Sequence, residues 1–122
     1  MSRILVIEDS PAIALLLRRR LEMAGHSVEV FPNGDLALDR LDQENLPELV
    51  MADVMMPGEL DGLATLRRIR SHHPDLPVVL VTGQDLEPGQ RQEADAVFSK
   101  PIEFDPLLTT IRRLTRRSGG DA

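Results

Sequence analysis

The chain has 122 residues, a formal net charge of −6 and no cysteine. That length suits one domain of ordinary size, able to bury about two-thirds of its unfolded surface. The missing cysteines exclude a disulfide frame and thiol chemistry, and the acidic balance disfavours nonspecific nucleic-acid binding. No apolar stretch approaches the ~20 residues that cross a bilayer, so no membrane association is expected.

In chain order, Ile4-Leu5-Val6-Ile7 is a continuous apolar run followed by Glu8-Asp9. It starts directly after Met1-Ser2-Arg3, which leaves no room for a signal peptide, so a soluble cytoplasmic protein is expected. A helical pattern follows from about Pro11 to Ala24, with Asp9 or Ser10 placed to cap it and Pro11 at its first position. Ser10 is the better cap, because a cap would leave Asp53 and Lys100 unexplained. His26 stands in the turn before a second strand, and a second helical pattern runs from Gly34 to Gln43. Leu49-Val50-Met51-Ala52 is the next apolar run, followed by Asp53; Asp61 is placed to cap a third helix that ends near His72. Val78-Val79-Leu80-Val81 ends in Thr82-Gly83. Between Gln84 and Glu93 the only sizeable apolar residue is Leu86, and Pro88-Gly89 breaks helices, so the fourth helix should be short or irregular. The last strand, Ala96-Val97-Phe98-Ser99, leads to Lys100-Pro101, where a cis proline would suit a tight turn. A final helix spans Asp105 to Arg117, and residues 118–122 read as a flexible tail after a domain of residues 1–117. The three histidines lack ligand-spaced partners and are expected on solvated surface; the arginine groups at 18–20, 67–70 and 112–117 read as polar helix faces.

Short runs rich in Val, Ile and Leu are parallel strands buried on both faces. Alternated with helices about five times, they give an α/β domain in which right-handed crossovers bring the C-terminal strand ends to one edge. Glu8, Asp9, Asp53, Thr82 and Lys100 would meet there. Lys100 is the only lysine of the chain; arginine and lysine are not interchangeable where a compact, mobile ammonium is needed. Converging carboxylates repel unless a cation sits among them, and hard oxygen donors without His or Cys point to Mg²⁺.

Taken together, Glu8-Asp9, Asp53 with Met56-Pro57 and Asp61-Gly62, Thr82-Gly83 and Lys100-Pro101 make the chain resemble the receiver domains of two-component response regulators. The resemblance covers Arg3 to about Arg117. It implies a flavodoxin-like, doubly wound (βα)5 three-layer sandwich whose parallel five-stranded sheet has the order 2-1-3-4-5. It further implies that Asp53 accepts a phosphoryl group from a partner phosphohistidine, forming an acyl phosphate and signalling by a conformational change. Asp9 and Asp53 would bind Mg²⁺ directly, Glu8 through a water, and Met55 through its backbone carbonyl. Lys100 and Thr82 would hold phosphoryl oxygens, and Gly83 would leave room for the group to enter. Such a protein promotes its own phosphotransfer and dephosphorylation rather than acting as an enzyme. Its partner would be a sensor histidine kinase or a histidine phosphotransfer protein, docking against Ala12, Ile13 and Leu16, an apolar surplus on the first helix beside the site. Direct nucleic-acid binding is not expected, and a weak homodimer is compatible with the family. Whether the chain stands alone or belongs to a longer regulator or hybrid kinase is left open.

Three features depart from the usual receiver. The loop from Met56 to Gly62 is one residue longer than the commonest form. Val97 stands where many receivers carry Tyr or Phe, while Phe98 falls on the opposite face by strand alternation. The stretch from Thr82 to Lys100 is short. A pseudo-receiver, binding partners without phosphorylation, is the main alternative; it usually loses an acid, the threonine or the lysine, and all are present. A flavin binder would want a Ser/Thr-rich loop after the first strand, a nucleotide-binding domain lacks its glycine motifs, and an aspartyl phosphatase would want an acid where Met55 stands.

Overall fold

The computed structural model describes residues 2–43, 45–54, 62–83 and 86–118. Five strands, β1 (Arg3–Ile7), β2 (Ser27–Phe31), β3 (Leu49–Asp53), β4 (Val78–Thr82) and β5 (Ala96–Ser99), alternate with helices α1 (Pro11–Met23), α2 (Gly34–Leu41), α3 (Gly62–His72), α4 (Pro88–Glu93) and α5 (Phe104–Ser118). The sheet is parallel throughout, in the order β2-β1-β3-β4-β5. Each expected strand is present, and helix ends fall within two residues of the sequence reading. α5 takes in Ser118, where the tail was expected to begin; residues 119–122 lie outside the described residues.

Strand alternation sorts the apolar side chains into two cores. Leu5, Ile7, Val50, Ala52, Val78 and Leu80 face α2 and α3, meeting Ala37, Leu41, Leu66 and Ile69. Ile4, Val6, Leu49, Met51, Val79 and Val81 face the other way, against Leu17 and Leu21 of α1 and Leu107, Ile111 and Leu114 of α5. Three layers result because β1, β3 and β4 are apolar at nearly every position and need cover on both faces. α4 spans only six residues and buries none of them, as its proline, glycine and polar residues dictate.

Local caps fix the helix starts. Ser10 caps α1, its Oγ accepting from the Ile13 N–H at 3.4 Å, with Pro11 at the first position. Asn33 caps α2 through the Leu36 N–H at 2.9 Å. The expected Asp61 cap of α3 falls outside the described residues. The Lys100–Pro101 peptide is cis.

One expectation needs correction. His26 is not on solvated surface; it is 9% exposed, because the turn between α1 and β2 tucks under α5 beside Leu108 and Thr109. His72 is exposed as expected, and His73 is half-buried. The arginines also do more than face solvent. Arg67 pairs with Glu93 at 2.8 Å, Arg70 donates to the Leu76 carbonyl at 2.9 Å and bonds Asp95, and Arg20 stacks over the Phe104 ring at 4.4 Å.

Candidate functional site

The five residues singled out at strand ends converge on the C-terminal edge of the sheet. Glu8 and Asp9 follow β1, Asp53 ends β3, Thr82 ends β4 and Lys100 follows β5. Register places Asp53 beside Val81 and Thr82 beside Ser99, so neighbouring strands end in step. The Lys100 N–H donates to the Thr82 carbonyl at 2.9 Å, and the Val54 N–H to the Val81 carbonyl at 3.0 Å, which extends the ladder to the edge itself.

Carboxylate oxygens of Glu8, Asp9 and Asp53 lie within 4.8 Å of one another. Glu8 and Asp53 are each 4% exposed, Thr82 is fully buried, and Asp9 faces solvent. The Lys100 Nζ donates to Asp53 Oδ2 at 2.7 Å and lies 3.7 Å from Glu8 Oε1. The Ser10 N–H donates to the other Glu8 oxygen at 3.1 Å, so Ser10 serves both the helix and the site. Here the cap and site readings coexist.

Electrostatics follow from this crowding. Burial pushes the Glu8 carboxyl up to about 7; the Ser10 N–H opposes that, the Asp53 charge adds to it, and Lys100 draws it back. Burial lowers the Lys100 pKa, but the hydrogen bond and charge of Asp53, with Glu8 behind, more than offset it and hold the ammonium above its ordinary value. Three close acids and one cation leave a net negative site. Hard, all-oxygen donors with one acid still facing water fit Mg²⁺, which keeps several of its waters. Met55, expected to add a carbonyl, lies outside the described residues, as do Met56, Pro57 and Gln84. At Gly83 a side-chain methyl would meet nothing within 4 Å, so the space there does not depend on glycine.

Beside the site runs a groove of about 490 Å³ lined by Ile13, Leu16, Leu17, Lys100, Pro101, Ile102 and Phe104. Ala12 lies exposed next to it, and Leu15 and Leu16 are about half exposed. Sequence reasoning found the α1 side of this groove but not Ile102 and Phe104, whose part only the cis turn and the start of α5 reveal. On β5, Val97 packs toward α2 and α3 while Phe98 packs toward α1 and α5, so the aromatic ring lies on the face opposite to Val97.

Sheet order, layering and an acidic cluster with one lysine at the carboxyl edge define a flavodoxin-like α/β domain with a cation-ready site where such folds place their ligands. The family profile described as the response regulator receiver domain matches residues 4–112, and the chain belongs to that family. It is 42% identical to response regulator MprA of Mycobacterium sp. (strain KMS), over 98% of this chain and 53% of the relative. MprA of Mycobacterium avium is 39% identical over 95% of this chain and 52% of its own. The chain thus spans about half the length of the curated relatives it matches. Among solved structures, response regulator TrrA of Thermotoga maritima, in complex with Mg²⁺-BeF, superposes with a TM-score of 0.85 at 32% identity, covering 93% of this chain and 99% of TrrA. The receiver domain of a signal transduction histidine kinase from Syntrophus aciditrophicus gives 0.84 at 32% identity, covering 99% and 93%.

Proposed function

We propose that this chain is a phosphoacceptor in a two-component phosphorelay, with Asp53 as the acceptor. The observation that carries the reading is the Lys100 ammonium at 2.7 Å from a buried Asp53 whose carboxylate also clusters with those of Glu8 and Asp9. A lysine used only to neutralise a buried acid would not need two further acids gathered around the same carboxylate. The TrrA complex with Mg²⁺-BeF supports the same reading by relation.

In this mechanism an Asp53 oxygen attacks the phosphorus of a phosphohistidine. The new O–P bond makes an acyl phosphate while the P–N bond breaks, and the departing imidazole keeps the bond's electron pair and takes up a proton from solvent. The transition state is loose, so positioning and charge neutralisation supply most of the rate. Glu8, Asp9 and Asp53, with the Met55 carbonyl, would hold Mg²⁺, which when bound supplies charge neutralisation to the transferred oxygens. Lys100 shifts from the carboxylate to a phosphoryl oxygen, as a mobile point charge can and arginine's fork cannot. The Thr82 hydroxyl donates to another oxygen.

The phosphodonor is a histidine kinase or a histidine phosphotransfer protein. Ala12, Ile13 and Leu16 form its docking face, supported by the apolar groove that opens directly onto Lys100. The domain comprises residues 1–117, works in the cytoplasm and does not itself bind nucleic acid. Among the described residues no helix is long and apolar enough to cross a membrane.

The test is intact mass after incubation with acetyl phosphate, with and without Mg²⁺, for wild type and Asp53→Ala. One phosphoryl adduct that needs both Mg²⁺ and Asp53 is expected. No adduct on folded wild type would overturn the reading in favour of a phosphorylation-independent binding module. Leu16→Arg should slow transfer from a cognate kinase while leaving the acetyl phosphate reaction intact; unchanged transfer removes the docking role.

A further inference from the structure

Gly62, the first residue of α3, lies against the backbone of the acceptor strand. A methyl group there would sit 2.7 Å from the Val54 Cα and 2.9 Å from the Asp53 carbonyl carbon, and also against the Asp53 carbonyl oxygen. All three are main-chain atoms, so no side-chain rotation makes room. The Gly62 N–H donates to the Val54 carbonyl at 3.1 Å. Positive backbone φ among the described glycines occurs at Gly25, so space rather than dihedral freedom demands glycine at 62.

We propose that Gly62 is a positioning residue for phosphoacceptance. Its missing side chain and its amide together hold the Asp53–Val54 peptide where the Asp53 carboxylate meets Lys100. This rests on the reading of Asp53 as the acceptor. The tolerance is small: restoring an ordinary 3.4 Å contact requires residue 62 and the Val54 Cα to part by about 0.7 Å. Neither element swings away freely. β3 is the central strand of the sheet, and Leu66 and Ile69 anchor α3 at 0% exposure. Displacement on the order of 1 Å costs roughly a hundredfold in rate when geometry governs the reaction.

The test compares wild type, Asp53→Ala, Gly62→Ala and Gly89→Ala, the last because a methyl at 89 meets nothing within 4 Å. The maximal rate of adduct formation is measured at saturating acetyl phosphate and Mg²⁺, well below each melting temperature. Gly62→Ala should lose about tenfold or more in maximal rate while fully folded, and Gly89→Ala should stay within about twofold of wild type. A purely structural glycine would lower the melting temperature and leave that maximal rate unchanged, a result that overturns the proposal. If Gly62→Ala does not fold, one glycine inserted after Gly58 decides. It lengthens the loop but keeps the contact at 62, so an unchanged rate is expected. A tenfold drop would show that the loop, not Gly62, places Asp53. No adduct on wild type would remove the acceptor reading and the proposal together, a pattern visible before any variant is compared.

Discussion

Lys100→Met removes an ammonium and keeps an unbranched apolar stem, so it isolates the charge. In the native protein Nζ lies 2.7 Å from Asp53 and 3.7 Å from Glu8, whose side chains are 4% and 3% exposed. At 2.7 Å a pair of unit charges attracts by about 6 kcal/mol at an effective dielectric near 20. Drying both charges offsets most of that, so the net worth of the pair is far smaller. Truncation measures something else: two buried carboxylates deprived of their cation. Removing one partner of a buried pair costs ~3–5 kcal/mol, and the partial exposure of Lys100 puts this case near 2–3 kcal/mol. In urea, with a slope of about 2 kcal/mol/M for a domain this size, the midpoint in EDTA should fall by roughly 1–1.5 M. Millimolar Mg²⁺ should shrink the loss, since a divalent cation among Glu8, Asp9 and Asp53 supplies the missing charge. A loss below about 0.5 kcal/mol in EDTA would refute the reasoning, because that is what an exposed, dispensable ion pair contributes. Equal losses with and without Mg²⁺ would refute the shared site.

Leu66→Ala opens a cavity beneath α3 at a side chain with 0% exposure, and should cost about 3 kcal/mol by urea denaturation; a cost under about 1 kcal/mol would mean that α3 collapses onto the sheet. Burial holds the His26 imidazole below its ordinary pKa of 6.5. The folded state therefore resists a proton that the unfolded chain accepts, so its contribution is full above the ordinary value and is lost as pH falls through the folded one. His26→Asn should flatten the dependence of urea midpoint on pH below about 6.5, and an unchanged slope would clear His26 of the effect. Arg70→Met takes the guanidinium from the Glu93 carbonyl and leaves the Asp95 carboxylate with only the Val78 N–H of these two donors, so amide hydrogen exchange in α4 and at the start of β5 should quicken. Identical exchange would show that α4 is held some other way.

The sequence is most legible where one physical rule acts alone. β1, β3 and β4 are short and apolar at nearly every position, which only a sheet covered on both faces accommodates, and the acids at the ends of β1 and β3 mark its edge. α4 was foreseeable for the opposite reason: Pro88, Gly89 and a polar run have nothing to bury. His26 was misread because its burial comes from α5, some eighty residues later in the chain, and no local pattern reports that. The arginines of α3 looked like a solvated face, yet Arg70 spans three segments through Leu76, Glu93 and Asp95, a geometry set by tertiary folding. Gly62 left a trace, a glycine just where a helix begins, but only the approach of α3 to β3 shows what it excludes. Ile102 and Phe104 joined the groove unannounced for the same reason.

A sheet this apolar invites strand addition wherever an edge lies open. Here β2 carries Glu29 outward, bonded to Arg40 at 2.9 Å, so a chain pairing along that margin would have to displace or dry a charge. At the other margin β5 offers four residues before Lys100 and a proline that has no amide to donate. Both margins therefore resist templated growth into fibrils. The most hydrophobic strands can stay in the interior at working concentrations, and any self-association is left to helices and side chains, where it can be made and reversed.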